Sequence, residues 1–103
     1  MTIMSEFQAR VLELVSKIPK GKVTTYKEVA RALGSPRSCR AVGNALARNP
    51  HPLEIPCHRV VRSDGKIGGY KLGSKRKARL LVDEGVEIVG EKVNLKKHMF
   101  RFS

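Results

Sequence analysis

One cysteine in this sequence is followed directly by residues that can turn its thiol into a nucleophile. Cys57 precedes His58 and Arg59 in the segment Ile-Pro-Cys-His-Arg-Val-Val, residues 55–61. A nearby imidazole or guanidinium favours the thiolate, which is the reactive form of cysteine. Consecutive side chains of an extended chain point to opposite sides, so His58 needs a turn or an intervening water to reach the sulfur. The segment predicts a nucleophilic Cys57 with His58 as its base.

A histidine base also needs an acid that fixes its tautomer. The chain offers four acids, and their spacing does not choose among them: Glu54, Asp64, Asp83 and Glu84. The plainer interpretation of Cys57 is a small apolar side chain in the core. Prolines that stiffen the approach to Cys57, and the pair Gly68-Gly69, which permits a close-fitting pocket, favour the nucleophile.

A metal site is not indicated. The spacing of His51, Cys57 and His58 matches no common ligand set, and the sequence has no CxxC pair. Two cysteines, Cys39 and Cys57, are too few for a disulfide scaffold, so both are expected as free thiols in a reducing compartment. We therefore predict no metal and no cofactor.

Positive charge dominates the middle of the chain. The protein carries a net charge of +12, and residues 31–79 hold twelve Lys or Arg against two acids. A heat-adapted surface would be rich in acids as well. No basic amphipathic helix with bulky aromatics indicates a membrane surface. The charge favours a polyanionic partner, and nucleic acid before membrane.

Three helices in the first half of the chain are expected to position these groups. Ser5 is predicted to cap the first helix, which carries an apolar stripe at helical spacing. The second is predicted to begin after Thr25 and end at Gly34, and the third to begin after Ser35 and run to Arg48. Two short helices joined by a tight Gly-Ser-Pro turn form a helix-turn-helix.

The third predicted helix has an unusual composition. Arg37 and Arg40 lie in its first turns, where the helix dipole disfavours cations, and this placement makes sense if they meet an anion. Gly43 lies in its middle and leaves, with Ala41, Ala45 and Ala47, a shallow surface. Such a surface suits either tight packing on another helix or close approach to DNA, and the sequence favours neither interpretation over the other.

The second half begins with a loop-rich segment, residues 49–73, in which a small hairpin is expected to turn at Asp64-Gly65. A basic helix capped by Ser74 and ending at Gly85 should follow. Short strands are expected around Gly90, and the tail either packs or frays.

The length of 103 residues and an apolar fraction of 41% predict one domain, residues 1–103. The fold class is mainly α with a small β-hairpin, a winged-helix-like DNA-binding domain that contains the helix-turn-helix. No stretch approaches the ~20 apolar residues of a membrane span. Residues 1–8 lack the basic start and apolar middle of a signal peptide. We expect a soluble, cytoplasmic monomer.

Five segments occur in an order that resembles a known family. They are TTYKEVA (24–30), RAVGNALARNP (40–50), PCHRVV (56–61), GKIGGY (65–70) and LLVDEG (80–85). Together they resemble the DNA-binding and catalytic domain of the O6-alkylguanine-DNA alkyltransferases, also called methylated-DNA–protein-cysteine methyltransferases. The resemblance spans residues 5–90, and PCHRV with RAVG upstream is highly specific.

The resemblance implies DNA repair by direct reversal, with alkylated DNA itself as the alkyl donor. Cys57 would take the alkyl group from O6 of guanine, and each molecule would act once because the S-alkyl cysteine is not regenerated. His58 would receive the thiol proton through a water, oriented by Glu84. Asn49 would support the active loop through backbone hydrogen bonds.

The resemblance also implies that double-stranded DNA containing O6-alkylguanine is the partner and that the damaged base is flipped out of the helix. The helix-turn-helix would enter the minor groove, which suits the small residues Ala41, Gly43 and Ala45. Arg40 would fill the gap that the flipped base leaves.

Further residues are implied to hold the flipped guanine. Tyr26 would crowd the adjacent phosphate and donate a hydrogen bond to the guanine ring. The backbone carbonyls of Cys57 and Val60 would accept from the exocyclic amine. Tyr70 would form a wall of the pocket, and the backbone N–H of Lys71 would stabilise O6 as it leaves.

The sequence departs from the family in three respects. Lys71 and Leu72 stand where small residues are common, which affects the width of the pocket, and Cys39 replaces a small apolar residue and is interpreted as structural. The extra N-terminal domain of many members, sometimes metal-bearing, is not recognised. The alternative is an alkyltransferase-like protein, which binds the same lesion and recruits nucleotide excision repair without chemistry. Those proteins typically carry Trp in the cysteine position, so Cys57 favours the transferase.

Overall fold

The first helix, α1, spans Glu6–Val15 in a computed structural model that describes residues 5–102. The Ser5 hydroxyl accepts from Gln8 N at 3.1 Å, which confirms the predicted cap. The Gln8 side chain does not complete a capping box, because its Nε2 donates to the carbonyl of Arg48 at 3.3 Å. The absence of a signal peptide, predicted for residues 1–8, lies partly outside the described residues.

The helix-turn-helix is formed by α2, Tyr26–Ala32, and α3, Cys39–Ala47. The Thr25 hydroxyl accepts from Glu28 N at 3.0 Å, so the cap of α2 is also confirmed. The helix ends before Gly34, whose φ of +76° is a conformation that glycine adopts readily.

The predicted start of α3 is wrong. Ser35 does not cap this helix, because α3 begins at Cys39 with Ser38 at its N-cap position. The Ser35 N–H instead donates to Ala30 O at 2.9 Å and completes a Schellman motif at the end of α2. The chain then turns once more, with Ser38 N donating to Ser35 O at 2.9 Å, before the helix begins. Arg37 therefore lies in the connecting turn, and Arg40 lies in the first turn of α3.

A short parallel pairing joins the two halves of the chain. Strand β1, Thr24–Thr25, pairs with β2, Val60–Val61, and β2 follows directly on a 3-10 turn at Cys57–Arg59. Because β1 leads straight into α2, the pairing fixes the cysteine segment against the helix-turn-helix.

The hairpin predicted to turn at Asp64-Gly65 is wrong, although the turn itself forms. Lys66 N donates to Asp64 Oδ1 at 3.0 Å, and Arg62 N donates to Lys66 O at 2.9 Å. The strand before the turn, β2, pairs with β1, where both of its valines are fully buried. The chain after the turn bridges to Lys92 instead.

Helix α4 spans Ser74–Asp83. Ser74 is its first residue and not its cap, since Gly73 precedes it and the Ser74 hydroxyl donates to Gly68 O at 3.5 Å. The helix stops before Gly85, as predicted.

The strands predicted around Gly90 are confirmed as an antiparallel hairpin, β3 at Ile88–Val89 and β4 at Lys92–Val93. A short helix that was not predicted, α5, follows at Leu95–His98. The tail packs and does not fray, because Phe100 N donates to Val23 O at 2.7 Å.

Two apolar clusters hold the elements together. The larger lies among α1, α2 and α3 and includes Cys57, and the smaller joins β2, α4 and the β3–β4 hairpin. The predicted class is therefore confirmed: the protein is mainly α, with a small β-hairpin and a helix-turn-helix. None of the helices in residues 5–102 has the length and apolar character needed to cross a membrane.

Candidate active site

A tight turn centred on Pro56 places Cys57. Pro56 has φ −77° and ψ 66°, and Cys57 N donates to Ile55 O at 2.7 Å, which defines an inverse γ-turn. The proline ring holds φ near the value that this turn requires. The 3-10 turn then begins at Cys57, so the chain is not extended between Cys57 and His58.

Asn49 supports this turn from the end of α3. It is fully buried, its Nδ2 donates to Ile55 O at 2.9 Å, and its Oδ1 accepts from His51 N at 2.9 Å. The Ile55 carbonyl therefore receives one hydrogen bond from the Asn49 side chain and one from the Cys57 backbone. The position of the cysteine is thus coupled to the helix-turn-helix.

Cys57 lies at a cavity of about 340 Å³, which is at the small end of ligand pockets. The residue is 6% exposed, and its Sγ lies 3.9 Å from the carbonyl oxygen of Pro52. The walls come from α2, α3 and the loop before α4, so one side of the cavity belongs to the helix-turn-helix. The cavity is lined by Tyr26, Gly43, Leu46, Ala47, Cys57, Gly69, Tyr70 and Lys71.

Gly43 borders open space. A Cβ built on it meets nothing within 4 Å, so this part of α3 is not packed against another helix. The structure therefore favours the second interpretation of the shallow surface, an open wall. The prediction that Ala45 belongs to this surface is wrong, because Ala45 is buried in the larger apolar cluster and is unavailable to DNA.

Among the four acids left open by spacing, Glu84 lies against His58. The Nε2 of His58 is 3.0 Å from Glu84 Oε2. Arg59 donates to both oxygens of the same carboxylate, from Nε at 2.9 Å and from Nη2 at 2.7 Å. With the carboxylate ionised, Nε2 of His58 carries the hydrogen and Nδ1 keeps its lone pair. Nδ1 is buried and has no hydrogen-bond partner among the described protein atoms.

Burial lowers the pKa of His58 below its ordinary value, although the hydrogen bond and charge of Glu84 oppose that shift. Burial alone would raise the pKa of Glu84, but the hydrogen bonds and positive charges of Arg59 and His58 outweigh it and lower that pKa. At neutral pH the pair is thus a neutral imidazole oriented by a carboxylate, which is suited to accept a proton.

Sequence reasoning missed Lys77, a fully buried lysine beside the site. Its Nζ donates to Val60 O at 2.7 Å and to Gly69 O at 3.1 Å, and lies 5.8 Å from the centre of the Tyr26 ring. Burial lowers the pKa of Lys77 to about 8. A signal was available, because Lys77 lies one turn before buried Leu81 on the apolar side of α4.

Tyr26 is held as a phenol. Burial raises the pKa of Tyr26, and the negative charge of a Cys57 thiolate adds to the effect, so the hydroxyl stays protonated at neutral pH. Gly68, with φ +78°, lets the loop pass closely: a Cβ there would lie 3.5 Å from Tyr26 Oη and 3.8 Å from Lys77 Nζ.

Tyr70 and Lys71, in the loop before α4, form another part of the cavity wall. The Tyr70 hydroxyl donates to Pro52 O at 3.4 Å, and its ring meets His58 edge-on at 6.2 Å between ring centres. The Nζ of Lys71 donates to Asn49 O at 3.2 Å.

Four other residues singled out from the sequence do not line the cavity. Arg40 and Ala41 are exposed at the start of α3, while Val60 is fully buried and its carbonyl accepts from Lys77. Cys39 is half-buried against the larger apolar cluster. Within residues 5–102, no three His, Cys, Asp or Glu side chains are grouped so that they could hold a metal ion.

Known proteins resemble this chain both in sequence and in fold. A methylated-DNA–protein-cysteine methyltransferase of Methanothermobacter thermautotrophicus is 59% identical over 88 residues, covering 84% of this chain and 48% of the relative. S. pombe Atl1, in complex with damaged DNA containing O6-carboxymethylguanine, has a TM-score of 0.84 at 36% identity and covers 97% of this chain and 99% of its own. Mycobacterium tuberculosis OGT in complex with DNA has a TM-score of 0.77 at 41% identity, and the match covers 80% of this chain and 51% of that protein.

The chain spans about half the length of the curated methyltransferases it matches. A family model described as the DNA-binding domain of 6-O-methylguanine DNA methyltransferase matches residues 6–86, which include the helix-turn-helix, Cys57, His58 and Glu84. On this match and the geometry above, the chain belongs to the family of 6-O-methylguanine DNA methyltransferase DNA-binding domains.

Proposed function

We propose that this chain repairs DNA by transferring an alkyl group from O6 of guanine to Cys57. One observation carries the proposal: the nucleophile lines a cavity whose wall is the second helix of a helix-turn-helix. A DNA-binding element and a reactive thiol thus share one pocket. The net charge of +12 supports double-stranded DNA as the partner.

The transfer is a displacement at carbon. The Cys57 thiolate attacks the alkyl carbon, an S–C bond forms as the C–O6 bond breaks, and the electron pair stays on guanine, which takes up a proton. The thiol proton passes through a water to Nδ1 of His58, the buried nitrogen with a free lone pair. Glu84 holds the tautomer that makes this possible.

The remaining residues hold the flipped base and the active loop. Tyr26, protonated because its pKa is raised by burial, donates to the guanine ring, and the Lys71 N–H meets O6. Asn49 keeps Cys57 in place through Ile55 O. The Cys57 carbonyl accepts from the exocyclic amine. Val60 is fully buried and its carbonyl accepts from Lys77, so it can take part only if the loop shifts when the base enters.

On the DNA side, α3 enters the minor groove with Ala41 and Gly43 near the backbone, and Arg40 fills the gap in the stack. Arg40→Ala should weaken base flipping, read with a fluorescent base beside the lesion, while the circular dichroism spectrum stays unchanged. Arg37→Ala, in the preceding turn, is the matched control and should mainly reduce the salt dependence of binding. If the two variants changed base flipping and salt dependence equally, Arg40 would be a phosphate contact and would not fill the gap in the stack.

The main test is whether Cys57 becomes covalently methylated. Incubating the full chain with a duplex that contains one O6-methylguanine should add a methyl group to the peptide that holds Cys57, as read by mass spectrometry. Cys57→Ser should bind the lesion and transfer nothing, because flipping does not require the sulfur. Cys39→Ser, the control for the other thiol, should still transfer. Unmodified Cys57 beside intact lesion after long incubation would overturn the proposal.

One observation favours a second function, lesion recognition without transfer that recruits nucleotide excision repair. The match to S. pombe Atl1 covers nearly all of both chains. The same assay separates the two functions, since binding with Cys57 unmodified would support the second one. For either function we propose a monomer, because the cavity and the helix-turn-helix belong to one chain. We also propose that it acts in the cytoplasm and uses no cofactor.

A further inference from the structure

Lys71 is the charged residue among those that line the cavity. Its backbone belongs to the wall formed by residues 69–71, and its side chain crosses to the end of α3, where Nζ donates to Asn49 O at 3.2 Å. Residues 46 and 47, just before Asn49, also line the cavity. The Lys71 side chain therefore bridges two walls and holds its ammonium at the edge of the cavity.

The Lys71 ammonium has no anionic partner. In the described part of the chain, no carboxylate lies within ion-pair distance of it. Of the other long cations at the site, Arg59 is paired with Glu84, and the buried Lys77 ammonium already donates to two carbonyl oxygens. None of the described lining residues is acidic either. An ammonium with one neutral acceptor can still donate two more hydrogen bonds. An anion that enters the cavity would meet this cation.

We propose that Lys71 adapts the pocket to guanines whose O6 substituent ends in a carboxylate, such as O6-carboxymethylguanine. This inference rests on the proposed function and names a substrate class for the same cavity. The substituent extends from O6 into the space that Cys57 and Lys71 share, so a terminal carboxylate lies near the ammonium.

The chemistry explains why a cation matters for this class. Transfer of a carboxymethyl group brings a second negative charge next to the Cys57 thiolate, and two like charges this close repel each other. The thiolate attacks the methylene carbon, the C–O6 bond breaks, the sulfur keeps the carboxymethyl group, and guanine takes up a proton. The Lys71 ammonium offsets the added charge throughout this step by a charge-assisted hydrogen bond.

The test compares two lesions of equal size, O6-carboxymethylguanine and its neutral amide, O6-carbamoylmethylguanine, in the same duplex. Single-turnover rates are measured for the wild type, Lys71→Met, Lys71→Arg and Lys75→Met. Lys75 is an exposed lysine on α4, so its variant is the control for loss of one positive charge. Lys71→Met should lower the ratio of anionic to neutral rates about tenfold, Lys71→Arg should restore most of it, and Lys75→Met should leave it unchanged.

An unchanged ratio in Lys71→Met, or an equal fall in Lys75→Met, would overturn the inference. Transfer from O6-methylguanine, measured in parallel, reports on the proposed function separately. If no lesion reacts, the same ratio is taken from dissociation constants in the Cys57→Ser background, where Lys71→Met should selectively weaken binding of the carboxymethyl lesion. Equal weakening for both lesions would make Lys71 a general DNA contact and would also overturn the inference.

Discussion

The Nε2 of His58 lies 3.0 Å from Oε2 of Glu84, although the two residues are 26 positions apart. His58 belongs to the 3-10 turn that begins at the cysteine, and Glu84 is the C-terminal cap of α4. The orientation of the imidazole therefore depends on how α4 docks against the active loop. The charge of Glu84 also keeps the pKa of His58 from falling as far as burial alone would take it.

Glu84→Gln should slow methyl transfer by about a hundredfold, within the range that general bases contribute. The substitution removes the charge that fixes the His58 tautomer and leaves Arg59 with a neutral partner. It should also lower the pKa of His58 further, because the favourable interaction with the imidazolium is lost while burial remains. Single-turnover rates and an NMR titration of His58 measure the two effects.

Glu91→Gln, an exposed acid in the β3–β4 hairpin, is the matched control and should change neither quantity. A rise in the pKa of His58 in the Glu84 variant, or a transfer rate within twofold of the wild type, would contradict the assigned role.

Asn49→Ala should lower the free energy of unfolding by about 1–3 kcal/mol, the cost of leaving buried polar groups without partners. It should also slow transfer at temperatures where the variant remains folded, because Ile55 O loses the hydrogen bond that supports the cysteine turn. Asn49→Asp retains an acceptor for His51 N and loses the donor to Ile55 O, so its transfer rate should fall as well. Urea unfolding and single-turnover assays test both. Wild-type transfer by a folded Asn49→Asp protein would show that the turn holds by itself.

Gly43→Ala should stabilise α3 and impair repair. The added Cβ meets nothing within 4 Å, so the helix gains up to about 1 kcal/mol from the change of propensity without a clash. The same methyl group narrows the cavity where the flipped base is expected, so lesion binding should weaken several-fold. Asn44→Ala, on the exposed face of α3, is the control that improves propensity without touching the cavity. If Gly43→Ala left the lesion affinity unchanged, this part of α3 would not contact the flipped base.

The parts of the fold that depend on neighbouring residues were predictable from the sequence. The caps at Ser5 and Thr25 join residues three positions apart, and the turn at Asp64 is closed within the same short segment. Ser35 shows where local reasoning fails, since the same residue type can end one helix or begin the next. In the structure its N–H bonds Ala30 O at the end of α2, and α3 begins only at Cys39.

Long-range relationships could not be obtained in this way. Spacing left four acids for His58, and the resemblance to a family, not the pattern itself, selected Glu84. The pairing of β2 with β1 depends on burial of Val60 and Val61 in the assembled fold. The basic composition of α4 does not reveal that Lys77 is buried against the site, because a buried lysine is rare and its two carbonyl acceptors come from distant segments.

Lys77→Met should change how stability depends on pH. Burial lowers the pKa of Lys77 from 10.5 to about 8 in the folded protein, so between these values the unfolded chain binds more protons. The contribution of Lys77 to the free energy of unfolding therefore rises with pH from about 8 to 10.5 and is constant below that window. Relative to Lys77→Met, the wild type should gain on the order of 2 kcal/mol between pH 7.5 and 10. Urea titrations at the two pH values measure this gain, and Lys75→Met, with an exposed lysine removed, should follow the wild type. A difference between wild type and Lys77→Met that is the same at both pH values would mean that the buried ammonium titrates as it does in the unfolded chain.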